Sequence, residues 1–278
     1  MGIIYALLSA LSYGTADFLG GFSSRKNSAL LVVALSQAMG LVTALVAVYF
    51  LRPESLLPSD LLWGIAAGIA GASGVGLLYH GLATGFASIV SPTAAVVGAA
   101  LPVLFGLIAG ERPPLMTWAG VAVAIPAILL LSWEKGEKRD HILRSLELGV
   151  LSGIAFSGFF IFIARTGEGS GMAPLLAARG ITVPLFFTIA LVKKQKLIPR
   201  KGTLVTILAG GCLDMLANVF YLLSTRTGFL IIAVILTSLY PAPTVFLQRF
   251  FIKEKLSAVR LAGLALAIAG AALIGIGG

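Results

Sequence analysis

Apolar runs of about twenty residues, following one another with little between them, leave this chain few ways to fold. Each has the length a helix needs to cross a hydrocarbon core of ~30 Å. They fall at residues 2–22, 29–51, 61–83, 87–109, 115–133, 146–165, 172–192, 203–225, 229–252 and 257–276. In lipid a helix satisfies every backbone N–H and C=O within itself, so the expected fold is an all-α membrane protein with ten transmembrane helices. Charge agrees with this. Only 11% of the residues are Asp, Glu, Lys or Arg, where a soluble domain carries roughly a quarter. Residues 2–22 lack a basic leading region and run into a Gly-rich turn, so they form the first span rather than a cleaved signal. The expected location is a cell membrane, a bacterial inner membrane or a plasma membrane, crossed many times.

The net charge of +9 does not point to nucleic acid, because no basic soluble domain interleaved with aromatics is present to bind it. Its distribution has a topological cause. The face carrying both termini holds Arg52, Arg112, Arg165 and Arg226; the other face holds fifteen Lys and Arg, including Arg25, Lys26, Lys193, Lys194, Lys196, Arg200 and Lys201. We call these the terminal face and the basic face. The positive-inside rule puts the basic face in the cytoplasm and both termini outside it. The single cysteine, Cys212, lies in an apolar run, which excludes a disulfide framework and a thiolate metal cluster. No Gly-rich phosphate loop occurs, so nucleotide hydrolysis is not the direct energy source. No cofactor and no metal are expected.

The two halves align without gaps at an offset of 143. Ser9 falls on Ser152, Tyr13 on Phe156, Gly68 on Gly211, Gly85 on Gly228, Glu111 on Glu254 and Gly120 on Gly263, and AGVAVAI at 119–125 falls on AGLALAI at 262–268. This divides the chain into repeats at 1–134 and 146–278, joined by a loop at 135–145. Five spans is an odd number, so the second copy sits upside down relative to the first. Inverted repeats around a mid-membrane site are a transporter signature, since alternating access needs two half-equivalent gates. With both halves in one chain, a monomer suffices.

Several motifs resemble the EamA repeat of the drug/metabolite transporter superfamily. The first copy carries Tyr79-His80-Gly81-Leu82-Ala83, then Gly110-Glu111-Arg112, then Trp118-Ala119-Gly120. The second carries Leu239-Tyr240-Pro241, Glu254-Lys255 and Ala262-Gly263, and Leu11-Ser12-Tyr13-Gly14 resembles the first-span pattern with Tyr13 where tryptophan is usual. The resemblance covers essentially the whole chain. It implies a ten-helix basket in which spans one to four and six to nine surround a central cavity, with spans five and ten outside. It also implies export of amino acids, metabolites or drug-like compounds.

Ionisable groups inside spans are costly unless they face protein or water, so they are candidates for function. Three occur: Asp17, Arg179 and Asp214. Ser9, Tyr13 and Asp17 share one face of the first span, and Asp214, Asn218 and Tyr221 share one of the eighth. An ion pair from Arg179 to either aspartate either holds the bundle together or forms part of a substrate or proton site. A carboxylate in a low-dielectric cavity holds a proton more readily, so Asp17 can exchange one against a cationic or zwitterionic substrate, with the proton as coupling ion. An amino acid would satisfy Arg179 with its carboxylate and an aspartate with its ammonium group. Gln37 stands beside Ser36, the offset mate of Arg179. Tyr79 and Tyr240 either stack on a substrate or belong to the interfacial aromatic belt. His80 either relays protons or is hydrogen-bonded packing. Thr237, Pro241, Thr244 and Gln248 follow one helix face and are read as cavity-lining, and Ser91-Pro92 and Tyr240-Pro241 open spans four and nine to bending. Glu111 and Glu254 are read as anchors at span ends.

An intramembrane serine protease is the enzyme alternative, because Gly71-Ala72-Ser73-Gly74 matches a Gly-x-Ser-Gly pattern and His80 follows. Seven residues of helix separate Ser73 from His80 by ~10.5 Å, beyond hydrogen-bond reach, and the other histidine, His141, is in the central loop. A channel would show a pore loop or charged ring, and none is evident. The sequence therefore reads as a secondary exporter of small organic solutes such as amino acids or related metabolites, with proton-coupled multidrug efflux as the alternative within the same class.

Overall fold

The computed structural model describes residues 1–84, 87–132, 142–253 and 257–277, with the side chains of Tyr79, Leu82–Thr84, Ala87, Ser88 and Ser132 outside that description. It is helical throughout, and no strand occurs among the described residues. The helices are α1 (Gly2–Ser24), α2 (Ala29–Phe50), α3 (Pro58–Thr84), α4 (Ala87–Ile108), α5 (Leu115–Ser132), α6 (Ile142–Ala164), α7 (Ala173–Val192), α8 (Leu204–Thr227), α9 (Leu230–Thr237), α10 (Pro241–Leu247) and α11 (Ala258–Gly277). Among the described residues nine segments are long and apolar enough to span, and Leu115–Leu131 adds a shorter tenth. Span ends agree with the hydropathy reading to within a few residues, because the water boundary is written locally in the side chains.

Neighbour relations close a ring. In order round it run α1, α8, α2, α7, α3, α6, α4 and α9, and α9 returns to α1. Helices from the two halves alternate all the way round this ring. Helices α5 and α11 pack on each other outside it and touch α4 and α10 respectively. The inverted repeat is visible in single hydrogen bonds. Ser9 Oγ donates to the Ala217 carbonyl at 2.8 Å, and Ser152 Oγ donates to the Gly74 carbonyl at 2.9 Å. Both members of each bond are related by the offset of 143, so α1 on α8 repeats as α6 on α3.

The repeats part company at spans four and nine. Span nine is not one helix: α9 ends at Thr237, a turn occupies Ser238–Tyr240, α10 starts at Pro241, and a short π-helix follows at Gln248–Ile252. Span four runs unbroken through Pro92 and Pro102, so the bend expected at Ser91-Pro92 does not interrupt it. The reason lies in packing. Gly149 and Gly153 of α6 admit the α4 backbone so closely that a Cβ on either would lie 2.9 Å from the carbonyl oxygens of Val90 and Ala94 respectively. A helix held along its length this way tolerates the one hydrogen bond each proline removes.

Glu111 joins the two halves on the terminal face. Its carboxylate accepts the backbone N–H groups of Leu230 at 2.8 Å and Ile231 at 3.0 Å, the free donors at the start of α9. The anchor is thus a helix cap supplied by the other repeat; its mate Glu254 lies outside the described residues. Glu111→Ala should lower stability by about 1–2 kcal/mol, read as a fall in the thermal unfolding midpoint in detergent, with Glu111→Gln intermediate. An unchanged midpoint for Glu111→Ala would refute the cap's role.

Candidate functional site

Helix α1 sets the geometry of the site. Its Ser9 is bonded to α8, while Gly14 lies against the turn of span nine so tightly that a Cβ would meet the Tyr240 carbonyl oxygen and sit 2.8 Å from Pro243 Cβ. Asp17 falls on the arc between these two contacts, opposite the lipid-exposed Ile4, Leu8 and Leu11. It therefore projects into the ring. Along this face Ser9 is buried, Tyr13 is half-buried and Asp17 is exposed. Span nine shows the same gradient, buried from Leu230 to Leu239 and partly open from Tyr240 onward. The interior is thus sealed toward the terminal face and open toward the basic face.

Across the interior, Arg179 of α7 reaches α8 and α2. Its Nη2 donates to Asp214 Oδ2 at 2.5 Å, its Nε to Met215 Sδ at 3.2 Å, and its Nη1 to Gln37 Oε1. Thr182 Oγ1 also donates to Gln37 Oε1, at 3.0 Å. The Arg179 side chain is 8% exposed against 36% for Asp214, so the cation is buried by its partners and the carboxylate shows a free edge. Gly40, three residues after Gln37 on α2, leaves the room this requires, since a Cβ there would lie 3.2 Å from the guanidinium carbon. Behind Arg179 an apolar groove between α2 and α7, lined by Ala38, Leu41, Val183 and Phe187, offers no other polar side chain.

Asp17 makes no hydrogen bond or ion pair among the described residues. It lies within electrostatic reach of Asp214, and both aspartates, Arg179 and Tyr240 act on Tyr13. The Tyr13 and Tyr240 rings face each other at 6.2 Å between centroids, tilted by 60°. With both carboxylates ionised, the one guanidinium leaves the group with one negative charge in excess. Such a charge at mid-membrane calls for a cation or a proton.

The remaining candidates sit elsewhere. Asn218 is buried, and its amide nitrogen donates to the Asp214 carbonyl at 2.7 Å. Tyr221, also fully buried, donates to the Phe160 carbonyl at 3.1 Å. The Thr244 hydroxyl lies 3.0 Å from the Gly14 carbonyl and 3.1 Å from that of Tyr240, which places it in the α1–α10 contact. Thr237, read as cavity-lining, is fully buried: the break at Ser238–Tyr240 takes it off the face that Thr244 follows. His80 is exposed near the end of α3, and the side chain of Tyr79 lies outside the described residues. Three contributors escaped the sequence reading: Met215, Thr182 and Gly40. Gly40 carried a signal, its helical spacing from Gln37; the other two are ordinary apolar-span residues.

Residues 1–133 and 144–276 each match the EamA-like transporter family. The chain belongs to that family. EamA-like proteins are transporters, and this one is a multi-pass membrane protein built of two repeats. A solved structure titled only "Crystal structure of protein" matches it with a TM-score of 0.72 at 16% identity, over 98% of this chain and 95% of that one, a likeness of fold alone. No curated protein matches the chain. Within an EamA-like fold the Ser73 hydroxyl has a plain structural use, donating to the Ile69 carbonyl at 2.8 Å on its own helix.

Proposed function

We propose that this EamA-like protein is a secondary carrier that exports small organic solutes bearing an amine, amino acids and related metabolites among them, by alternating access. The observation that carries the reading is the Asp17 carboxylate, without a hydrogen-bond or ion-pair partner among the described residues and within electrostatic reach of Asp214. A substrate ammonium group would neutralise the excess negative charge, and the Tyr13 and Tyr240 faces would add cation–π attraction. Arg179 already serves Asp214, Gln37 and Met215, so a substrate carboxylate would compete with protein for it. The amine is therefore the primary recognition element, and a proton on Asp17 would take its place on the return step. With the basic face in the cytoplasm, a cavity open on that face loads from inside, as an exporter in the cell membrane does.

The test is counterflow of labelled amino acids and amines in proteoliposomes, with and without an imposed proton gradient. Trans substrate should drive saturable uptake of amine-bearing solutes, and the gradient should alter net flux. Uptake of amine-free solutes alone would overturn the proposal. Preference for bulky organic cations over amino acids would favour proton-coupled multidrug efflux.

A further inference from the structure

On the basic face, the α1–α2 and α7–α8 loops enclose an open cleft of about 370 Å³. Four cationic side chains line it: Arg25, Lys26, Lys196 and Arg200. No carboxylate is in the lining, and none of the four has an ion-pair partner among the described residues. The cleft is nevertheless fixed in shape. Asn27 Nδ2 donates to the Ser23 carbonyl at 2.9 Å and to Thr203 Oγ1 at 3.0 Å, while its Oδ1 accepts the Arg200 N–H at 2.9 Å. Ser23 and Thr206 join beneath it through their hydroxyls at 2.9 Å. One asparagine thus ties a loop of the first repeat to a loop of the second and holds like charges together.

The fold does not require those charges. At the equivalent place on the terminal face, the offset of 143 puts Glu168 opposite Arg25, Pro53 opposite Lys196, Leu57 opposite Arg200 and Asp60 opposite Thr203. There Asp60 accepts the Gly167 N–H at 2.8 Å and closes the same kind of loop pair with an acid. A uniform positive-inside bias accounts for lysines scattered over the basic face. It does not account for four cations converging on a braced cleft. The cleft also lies where α1 and α7 end and α2 begins, the level at which spans of this length leave the hydrocarbon core. Leu31 forms an apolar part of its wall, and Ile198, 80% exposed, stands at its edge.

We propose that this cleft binds the phosphate headgroup of an anionic phospholipid in the leaflet of the basic face, with Arg25, Lys26, Lys196 and Arg200 around the phosphate and Ile198 against the glycerol and upper acyl region. The site rests on the membrane fold and is independent of what the carrier transports.

The experiment titrates full-length protein in neutral detergent with phosphatidylglycerol, phosphatidylcholine or inorganic phosphate, following the thermal unfolding midpoint and counting retained lipids by native mass spectrometry. Phosphatidylglycerol should raise the midpoint saturably, and the other two should not. In R25Q/R200Q the half-saturating phosphatidylglycerol fraction should rise about 30-fold, from two lost charges, while Arg112→Gln on the terminal face leaves it unchanged. Should R25Q/R200Q fail to fold, K26Q/K196Q, whose side chains make no hydrogen bonds among the described residues, is expected to act alike. Equal effects of the two lipids, or wild-type titration in the folded cleft variants, would overturn the proposal. Saturation by inorganic phosphate alone would make the ligand a free anion and overturn the lipid assignment.

Discussion

Asp17→Asn should lower solute counterflow by about 10- to 100-fold while leaving the thermal unfolding midpoint within a degree or two of wild type. The transport loss follows from removing a charge-assisted contact worth about 1.5–3 kcal/mol. The stability half follows from the structure: Asp17 makes no hydrogen bond or ion pair among the described residues, so an isosteric amide breaks nothing. It also removes a carboxylate within electrostatic reach of Asp214, and with it a like-charge repulsion. In a proton-coupled carrier the same variant should stop responding to an imposed gradient, because asparagine has no proton to exchange. Unchanged counterflow in both Asp17→Asn and the Asp17→Asn/Asp214→Asn double variant would dispose of the amine site altogether.

Arg179→Met should show the opposite pattern, a large loss of stability. It strips Asp214 of its ion-pair partner and Gln37 of a donor while leaving the carboxylate at the membrane midplane. Breaking one side of a fully buried pair costs about 3–5 kcal/mol, and with the Asp214 side chain 36% exposed the loss should fall below that range. Arg179→Met/Asp214→Leu, which removes both charges, should recover most of that loss, because the penalty belongs to the orphaned carboxylate rather than to a missing attraction. Thermal unfolding of the single and double variants closes the cycle. Additive losses would mean that the pair does not hold the α2–α7–α8 junction. If the double variant is stable yet transports poorly, the Asp214 edge contributes to the site as well, a combination no purely structural pair produces.

These contrasting expectations could not be assigned from the sequence. Hydropathy is a local property, so the spans and the all-helical fold were legible residue by residue. The offset of 143 made the inverted repeat legible too, and with it the Ser9–Ala217 and Ser152–Gly74 correspondence. Tyr240-Pro241 and Ser91-Pro92 marked spans nine and four alike as able to bend, since each proline removes an N–H; span nine broke and span four, held along α6 by Gly149 and Gly153, did not. Three ionisable residues in apolar runs marked the site without ordering it. Whether Arg179 pairs with Asp17 or Asp214 depends on α7 and α8 both flanking α2 in the ring, a matter of helix order around a closed circuit. Helical spacing placed Asp214, Asn218 and Tyr221 on one face but said nothing of what covers it; Phe160 of α6 receives Tyr221, and Asp214 alone stays partly open. Glu111 announced a span end, yet the amides it caps lie 119 and 120 residues away. Periodicity carries direction around a single helix axis. Partner, depth and exposure belong to the packing of several axes, and only the tertiary structure decides them.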